Sequence, residues 1–182
     1  MRQPALPNRV PVPYLEPVVG GMWWTVGAAA LQAGTGTVVL AAGLGVTAGL
    51  VLALRRRYGS GARLPRGGRR RLVRQVVVAI VLIVAASAGL GALGWGELTV
   101  PAACVIVGVA LWPLATLFDQ RSLLAVGAAL MVLGAGGAVL ALDSAGAFYP
   151  HGVVGLGAGA LLWLEGAYRG GLLAELRERS RY

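Results

Sequence analysis

The chain has 182 residues, of which 57% are hydrophobic and 13% are charged, and its mean hydropathy is +0.74. Because a soluble domain carries about 25% charged residues, this composition excludes an ordinary water-soluble domain and indicates a helical membrane protein. The net charge of +9 does not indicate nucleic-acid binding, since the basic residues lie beside apolar segments, where they orient a chain in the membrane.

Five prolines within residues 1–17 predict an extended arm rather than the apolar core of a signal peptide. The following segment, Val18–Leu54, has no charged residue and would form a helix of about 55 Å at 1.5 Å per residue. That length exceeds a hydrocarbon core of about 30 Å. The run Gly34-Thr35-Gly36-Thr37 is typical of a helix break, so we expect two short helices, Val18–Ala33 and Val38–Leu54.

Nine of the 16 arginines lie in the next segment, between Arg55 and Arg74, and the chain has no lysine. We expect residues 55–75 to form a cytoplasmic loop that contacts anionic lipid headgroups. Four further apolar spans follow in the order Val76–Leu93, Thr99–Phe118, Leu123–Leu142 and Gly152–Tyr168.

The arginines also favour one topology. Six spans place every arginine on the cytoplasmic side, whereas five spans would leave Arg2 and Arg9 outside. We therefore predict an all-α integral membrane protein, a six-helix transmembrane bundle of three hairpins over residues 18–171, with five spans as the alternative. The charged tail 172–182 and the amino terminus would both be cytoplasmic. The abundance of Ala, Gly, Val and Leu suggests a bacterial protein of the inner, or plasma, membrane.

Two pairs of glycines spaced four residues apart are candidates for close helix packing: Gly45 with Gly49, and Gly155 with Gly159. Each pair forms a smooth strip on one helix face, and such strips let membrane helices approach closely. They fit packing within the chain or a dimer face, so a homo-oligomer or another membrane partner stays open. Membrane lipids are the partner that the sequence itself implies.

Few polar residues are placed to do chemistry. Glu165 is the one acid inside a span, where an ionisable side chain suggests a proton or cation site, but Arg169 follows one turn later and could pair with it. Asp119 lies in a tight turn where it could cap a helix end. Trp112 precedes Pro113 and is either a cavity wall at a kink or an interfacial anchor.

On the opposite side of the membrane, four residues fall in or beside two loops that could meet: Glu97, Asp143, Tyr149 and His151. They suggest the mouth of a small-ligand site or ordinary interfacial anchoring. We find no catalytic motif and no set of ligands with metal spacing, and Cys104 is the sole cysteine. No cofactor or metal is expected, and an enzyme is disfavoured.

The segment Gly108–Phe118, followed by a polar turn and by Gly127-Ala-Ala-Leu-Met131, resembles small multi-pass bacterial membrane proteins of no known activity. That resemblance implies a six-span helical bundle. It transfers no functional residue.

Three functions remain in view. The scarcity of intramembrane polar residues favours a non-enzymatic accessory or structural membrane protein, since solute pathways need several such groups. A proton- or cation-coupled exporter using Glu165 is the second. An intramembrane enzyme acting on a lipid-soluble substrate, with Glu165 or Asp143 as the acid, is the third.

Overall fold

The computed structural model describes residues 12–32, 34–59, 67–143 and 150–172, and over these residues the chain is helical with no strand. Its helices are α1 (Leu15–Ala29), α2 (Thr35–Tyr58), α3 (Gly68–Ala92), α4 (Thr99–Phe118), α5 (Ser122–Asp143) and α6 (Pro150–Arg169). A single 3₁₀ turn, Gly96–Leu98, precedes α4. The prediction of six helices is confirmed.

The break within the long apolar segment lies slightly earlier than predicted. Helix α1 ends at Ala29, and α2 already begins at Thr35. Gly34 has a φ of 94°, in the region where a side chain is strained and glycine is not. The turn therefore depends on the first residue of the predicted Gly-Thr-Gly-Thr run, while the remainder of the run is helical.

Helices α2 and α3 extend into the arginine-rich segment that was expected to be a loop. Arg55, Arg56 and Arg57 lie in the last turn of α2, and α3 begins at Gly68, well before Val76. Arginine is a good helix former, so a run of arginines does not by itself end a helix. Residues 60–66 lie outside the described chain.

Four helices are long and apolar enough to cross a membrane: α2, α3, α4 with its preceding turn, and α5. Helix α1 has 15 residues, or about 22 Å of rise, and α6 carries Glu165 and Arg169. The composition and these four helices fit a membrane protein.

The helices are arranged in the spatial order α2, α1, α6, α5, α4, α3. The most extensive contacts join α1 to α6 and α4 to α5, while α1–α2, α3–α4 and α5–α6 are smaller. The contacts therefore do not single out the three predicted hairpins as separate units. The core lies between α1, α4, α5 and α6, and the apolar span of α3 has no buried residue.

Glycine determines how closely the core helices approach. A Cβ atom at Gly155 would lie 2.5 Å from the backbone nitrogen of Gly27, and one at Gly108 would lie 2.6 Å from the carbonyl oxygen of Gly127. Real Cβ atoms do not come this close, so the α1–α6 and α4–α5 contacts require glycine at these positions. Two hydrogen bonds add to these contacts, Trp163 Nε1 to Pro17 O (3.3 Å) and Cys104 Sγ to Leu130 O (3.3 Å).

Candidate functional site

Buried charged side chains meet at one end of the bundle, which we call the arginine end. The amino-terminal turn of α1 supplies Glu16, the carboxyl-terminal turns of α6 supply Glu165 and Arg169, and the α4–α5 turn supplies Phe118 and Ser122. Antiparallel packing of the first and last helices places these termini side by side. The same end carries the exposed arginines of α2 and α3 together with Arg121.

Glu16 and Arg169 form an ion pair between α1 and α6. The two side chains are 3% and 4% exposed, so the pair is withdrawn from water on both sides. The guanidinium carbon of Arg169 also lies 5.8 Å from the centre of the Phe118 ring, within the range of a cation–π contact. One arginine thus ties together α1, α4 and α6.

Glu165 is buried in the same region but has a different partner. It is 5% exposed, and its carboxyl group is hydrogen-bonded to the Ser122 hydroxyl at the start of α5. Its Oε1 atom has no hydrogen-bond partner within the described chain. The ion pair of Arg169 is made with Glu16 and not with Glu165, its neighbour one turn earlier.

Further polar atoms at this end are buried without a hydrogen-bond partner among the described residues: Tyr14 OH, Gln120 Oε1, and Nε and Nη2 of Arg169. Buried polar groups in native proteins are nearly always hydrogen-bonded to protein or to ordered water. The arginine end therefore has the donors and acceptors for water or for a small polar ligand, whereas the rest of the core is apolar.

Sequence reasoning missed Glu16, Tyr14, Gln120 and Ser122. Glu16 was assigned to the proline-rich arm because five prolines fall within residues 1–17. Proline is tolerated in the first turn of a helix, where its missing N–H has no partner to lose, and an acid in that turn is a common feature of a helix start. The Glu-Pro step ahead of an apolar run was thus a usable signal for the start of α1.

The other predicted site residues do not join this cluster. Trp112 is half exposed and lies beside Gly127, and Asp119 is exposed at the end of α4 with a φ of 51°. Glu97 and Asp143 are exposed near the opposite end, and His151 is half-buried in the first turn of α6. No ion pair or hydrogen bond joins these three side chains within the described chain, and Tyr149 lies outside it.

The two glycine pairs lie in different environments. Gly155 and Gly159 are buried against α1, where Gly27 and Gly20 face them. A Cβ at Gly45 or Gly49 would meet no atom of the described chain within 4 Å. Gly20 and Gly27, which the sequence analysis did not select, are seven residues apart, two helical turns, and that spacing was the available signal.

No group of three or more potential metal ligands is found within the described residues. Comparison with known proteins gave no match to a protein-family model, to a curated protein or to a solved structure. The resemblance drawn from Gly108–Met131 therefore gains no support from these comparisons. Fold and local chemistry are the grounds on which a function can be proposed.

Proposed function

We propose that the protein is a non-enzymatic integral membrane protein of the bacterial inner membrane with an accessory or structural role. Its six helices would cross the bilayer as three hairpins, with both termini and the arginine end in the cytoplasm and the Arg55–Arg74 segment on anionic headgroups. The apolar composition of the core is the observation that supports a role other than transport.

The middle of the bundle is apolar and closely packed. The buried side chains in the middle of the bundle are aliphatic or weakly polar. They include Val154, Ala158 and Leu162 of α6, which share one core cluster with Cys104 of α4 and Leu130 of α5. Within the described residues, buried charged side chains occur only at the arginine end. A solute or ion pathway needs polar groups along its length, and this arrangement supplies them at one end alone.

Six crossings are supported by the exposed faces of the two helices that fall short of the apolarity or length of a typical span. The exposed positions of α1 include Val18, Met22 and Val26, spaced one turn apart, and those of α6 include Val153 and Leu164. Apolar stripes on the outside of both helices suit contact with lipid. Helix α1 is short, but snorkelling side chains and local thinning let short spans cross a bilayer.

Labelling of single cysteines tests the topology. In a Cys104→Ala background, Glu97→Cys and Arg121→Cys place one thiol at each exposed end of α4. A membrane-impermeant maleimide added to intact spheroplasts should label the first variant, and should label the second only after permeabilisation. The reverse pattern would refute the orientation, and labelling of both without permeabilisation would refute the crossing of α4.

Proton flux tests the role. Proteoliposomes loaded with pyranine and given an acid pulse should acidify no faster than empty vesicles of the same lipid. Protein-dependent acidification that disappears in Glu165→Gln but persists in the matched variant Glu97→Gln would establish a proton pathway. That result would replace the accessory role with the exporter hypothesis.

A further inference from the structure

Glu165 is a buried carboxyl group for which the described residues supply no ion-pair partner. Its side chain is 5% exposed, its described hydrogen bond is to a neutral hydroxyl, and Oε1 has no partner within the described chain. The nearest guanidinium in sequence, that of Arg169, is already paired with Glu16 of another helix. Both acids are therefore buried, but only Glu16 has an ion pair among the described residues.

Among the described residues, the buried charges of this region do not balance if both acids are ionised. Helix α1 contributes Glu16 and the neutral Tyr14, α6 contributes Arg169, and α5 contributes only the Ser122 hydroxyl. In the α4–α5 turn Gln120 is neutral, while Asp119 and Arg121 are exposed to solvent. On α2, Arg57 lies beside Gly171, beyond the last turn of α6, with its side chain largely exposed.

Within the part of the chain that the structure describes, one buried guanidinium thus faces two buried carboxyl groups. An isolated ionised carboxylate in a low-dielectric environment is so costly that the group takes up a proton instead. Glu16 has the direct ion pair, so Glu165 is the acid that we expect to take up the proton. The Ser122 hydroxyl can serve either state, because a hydroxyl accepts a hydrogen bond from a protonated carboxyl group and donates one to a carboxylate.

We propose that Glu165 is a proton-binding site: the carboxyl group is neutral in the folded protein, with its O–H directed to Ser122, and it can release that proton to water at the arginine end. Release leaves a carboxylate one helical turn from Arg169, at the spacing that favours a Glu–Arg pair. Glu165 then competes with Glu16 for the same guanidinium.

Competition would make the contact between α1 and α6 sensitive to the proton. With Glu165 neutral, Arg169 is held by Glu16 and joins the two helices. With Glu165 ionised, part of the population pairs within α6, and the amino-terminal turn of α1 loses its charged partner. The equilibrium between Arg169 paired with Glu16 and Arg169 paired with Glu165 can shift only by as much as the proton affinity of Glu165 differs between these two arrangements. This site does not depend on the accessory role, since a bound proton need not be transported.

Infrared difference spectroscopy on the full chain in lipid measures the proton directly. A protonated carboxyl group gives a C=O stretch apart from the carboxylate bands, and that stretch shifts in deuterated water. We expect this band at neutral pH in the wild type and in the control Glu97→Gln, and its loss in Glu165→Gln. A wild type without the band, or a Glu165→Gln variant that keeps it, overturns the proposal.

Stability against pH supplies a second readout. Because the folded state holds a proton that the unfolded state releases, the wild-type melting temperature should fall as the buffer goes from mildly acidic to mildly alkaline. Glu165→Gln, an amide of nearly the same shape as the neutral acid, should fold and lose most of this slope. Failure of that variant to fold, or an unchanged slope, contradicts the proposal. Stabilisation by sodium chloride but not by choline chloride would also contradict the proposal, because it would indicate that Glu165 binds a metal cation and not a proton.

Discussion

Breaking the buried ion pair between α1 and α6 should have a large and specific effect on stability. Glu16→Gln removes the charge that faces Arg169 while keeping the size of the side chain, and leaves a guanidinium that is 4% exposed. Removing one partner of a buried pair costs about 3–5 kcal/mol. We expect a loss of about 3 kcal/mol, the lower end of that range, because Glu165 lies one turn away and can ionise to replace the missing carboxylate.

Replacing both acids should therefore cost more than the sum of the single changes. In Glu16→Gln/Glu165→Gln no carboxylate remains for Arg169, and the loss should approach about 5 kcal/mol, whereas Glu165→Gln alone should cost little. Groups that share a partner show such coupling in double-mutant cycles. The cycle isolates the competition for one guanidinium from the loss of either side chain.

The measurement is the free energy of unfolding in mixed micelles, followed by circular dichroism as SDS is titrated against a mild detergent. Glu97→Gln, an exposed acid at the opposite end, is the matched control and should leave the midpoint unchanged. A Glu16→Gln variant within about 1 kcal/mol of the wild type, well under the expected range, would refute the importance of the pair. Strict additivity in the double variant would refute the replacement by Glu165.

Three further substitutions and one control test a helix contact, a hydrogen bond and a turn, each by the same SDS titration. Gly155→Ala should destabilise by about 1–3 kcal/mol, because its Cβ would lie 2.5 Å from a backbone nitrogen of α1. The control Gly45→Ala has open space around it and should be neutral, or stabilising because alanine favours the helix. Equal effects of the two substitutions would contradict the described α1–α6 contact. Trp24→Phe should cost about 0.5–1.5 kcal/mol by removing the 2.7 Å hydrogen bond from its Nε1 to Val39 O, and an unchanged stability would show that the bond contributes nothing. Gly34→Ala should lower stability by about 1 kcal/mol, since alanine is strained at a φ of 94°; a rise in stability would refute the described turn.

The helices could be predicted from the sequence because charge-free runs separated by arginine, glycine or acidic turns have few alternatives in a membrane. The predicted Thr99–Phe118 has the same bounds as α4, where Pro101 and Asp119 mark the two ends. The ends of α2 and α3 were predicted less well, because arginine is a good helix former and both helices continue into the arginine-rich segment.

The rotation of each helix about its axis was not predictable from the pattern. In a soluble helix the apolar face identifies the core side, but in a membrane both the core and the lipid favour apolar residues. Gly45/Gly49 and Gly155/Gly159 have the same spacing, yet the structure packs only the second pair within the described chain. Likewise, spacing along α6 suggested a Glu165–Arg169 pair, whereas Arg169 reaches Glu16, a residue that is 153 positions earlier in the sequence.

The most extensive contact of α1 is with α6, although four helices separate the two in the chain. Because a ribosome makes α1 first among the described helices and α6 last, the glycine face of α1 and Glu16 lack these partners until α2 to α5 have been synthesised. The acid of Glu16 is therefore buried against Arg169 only late in the assembly of the bundle.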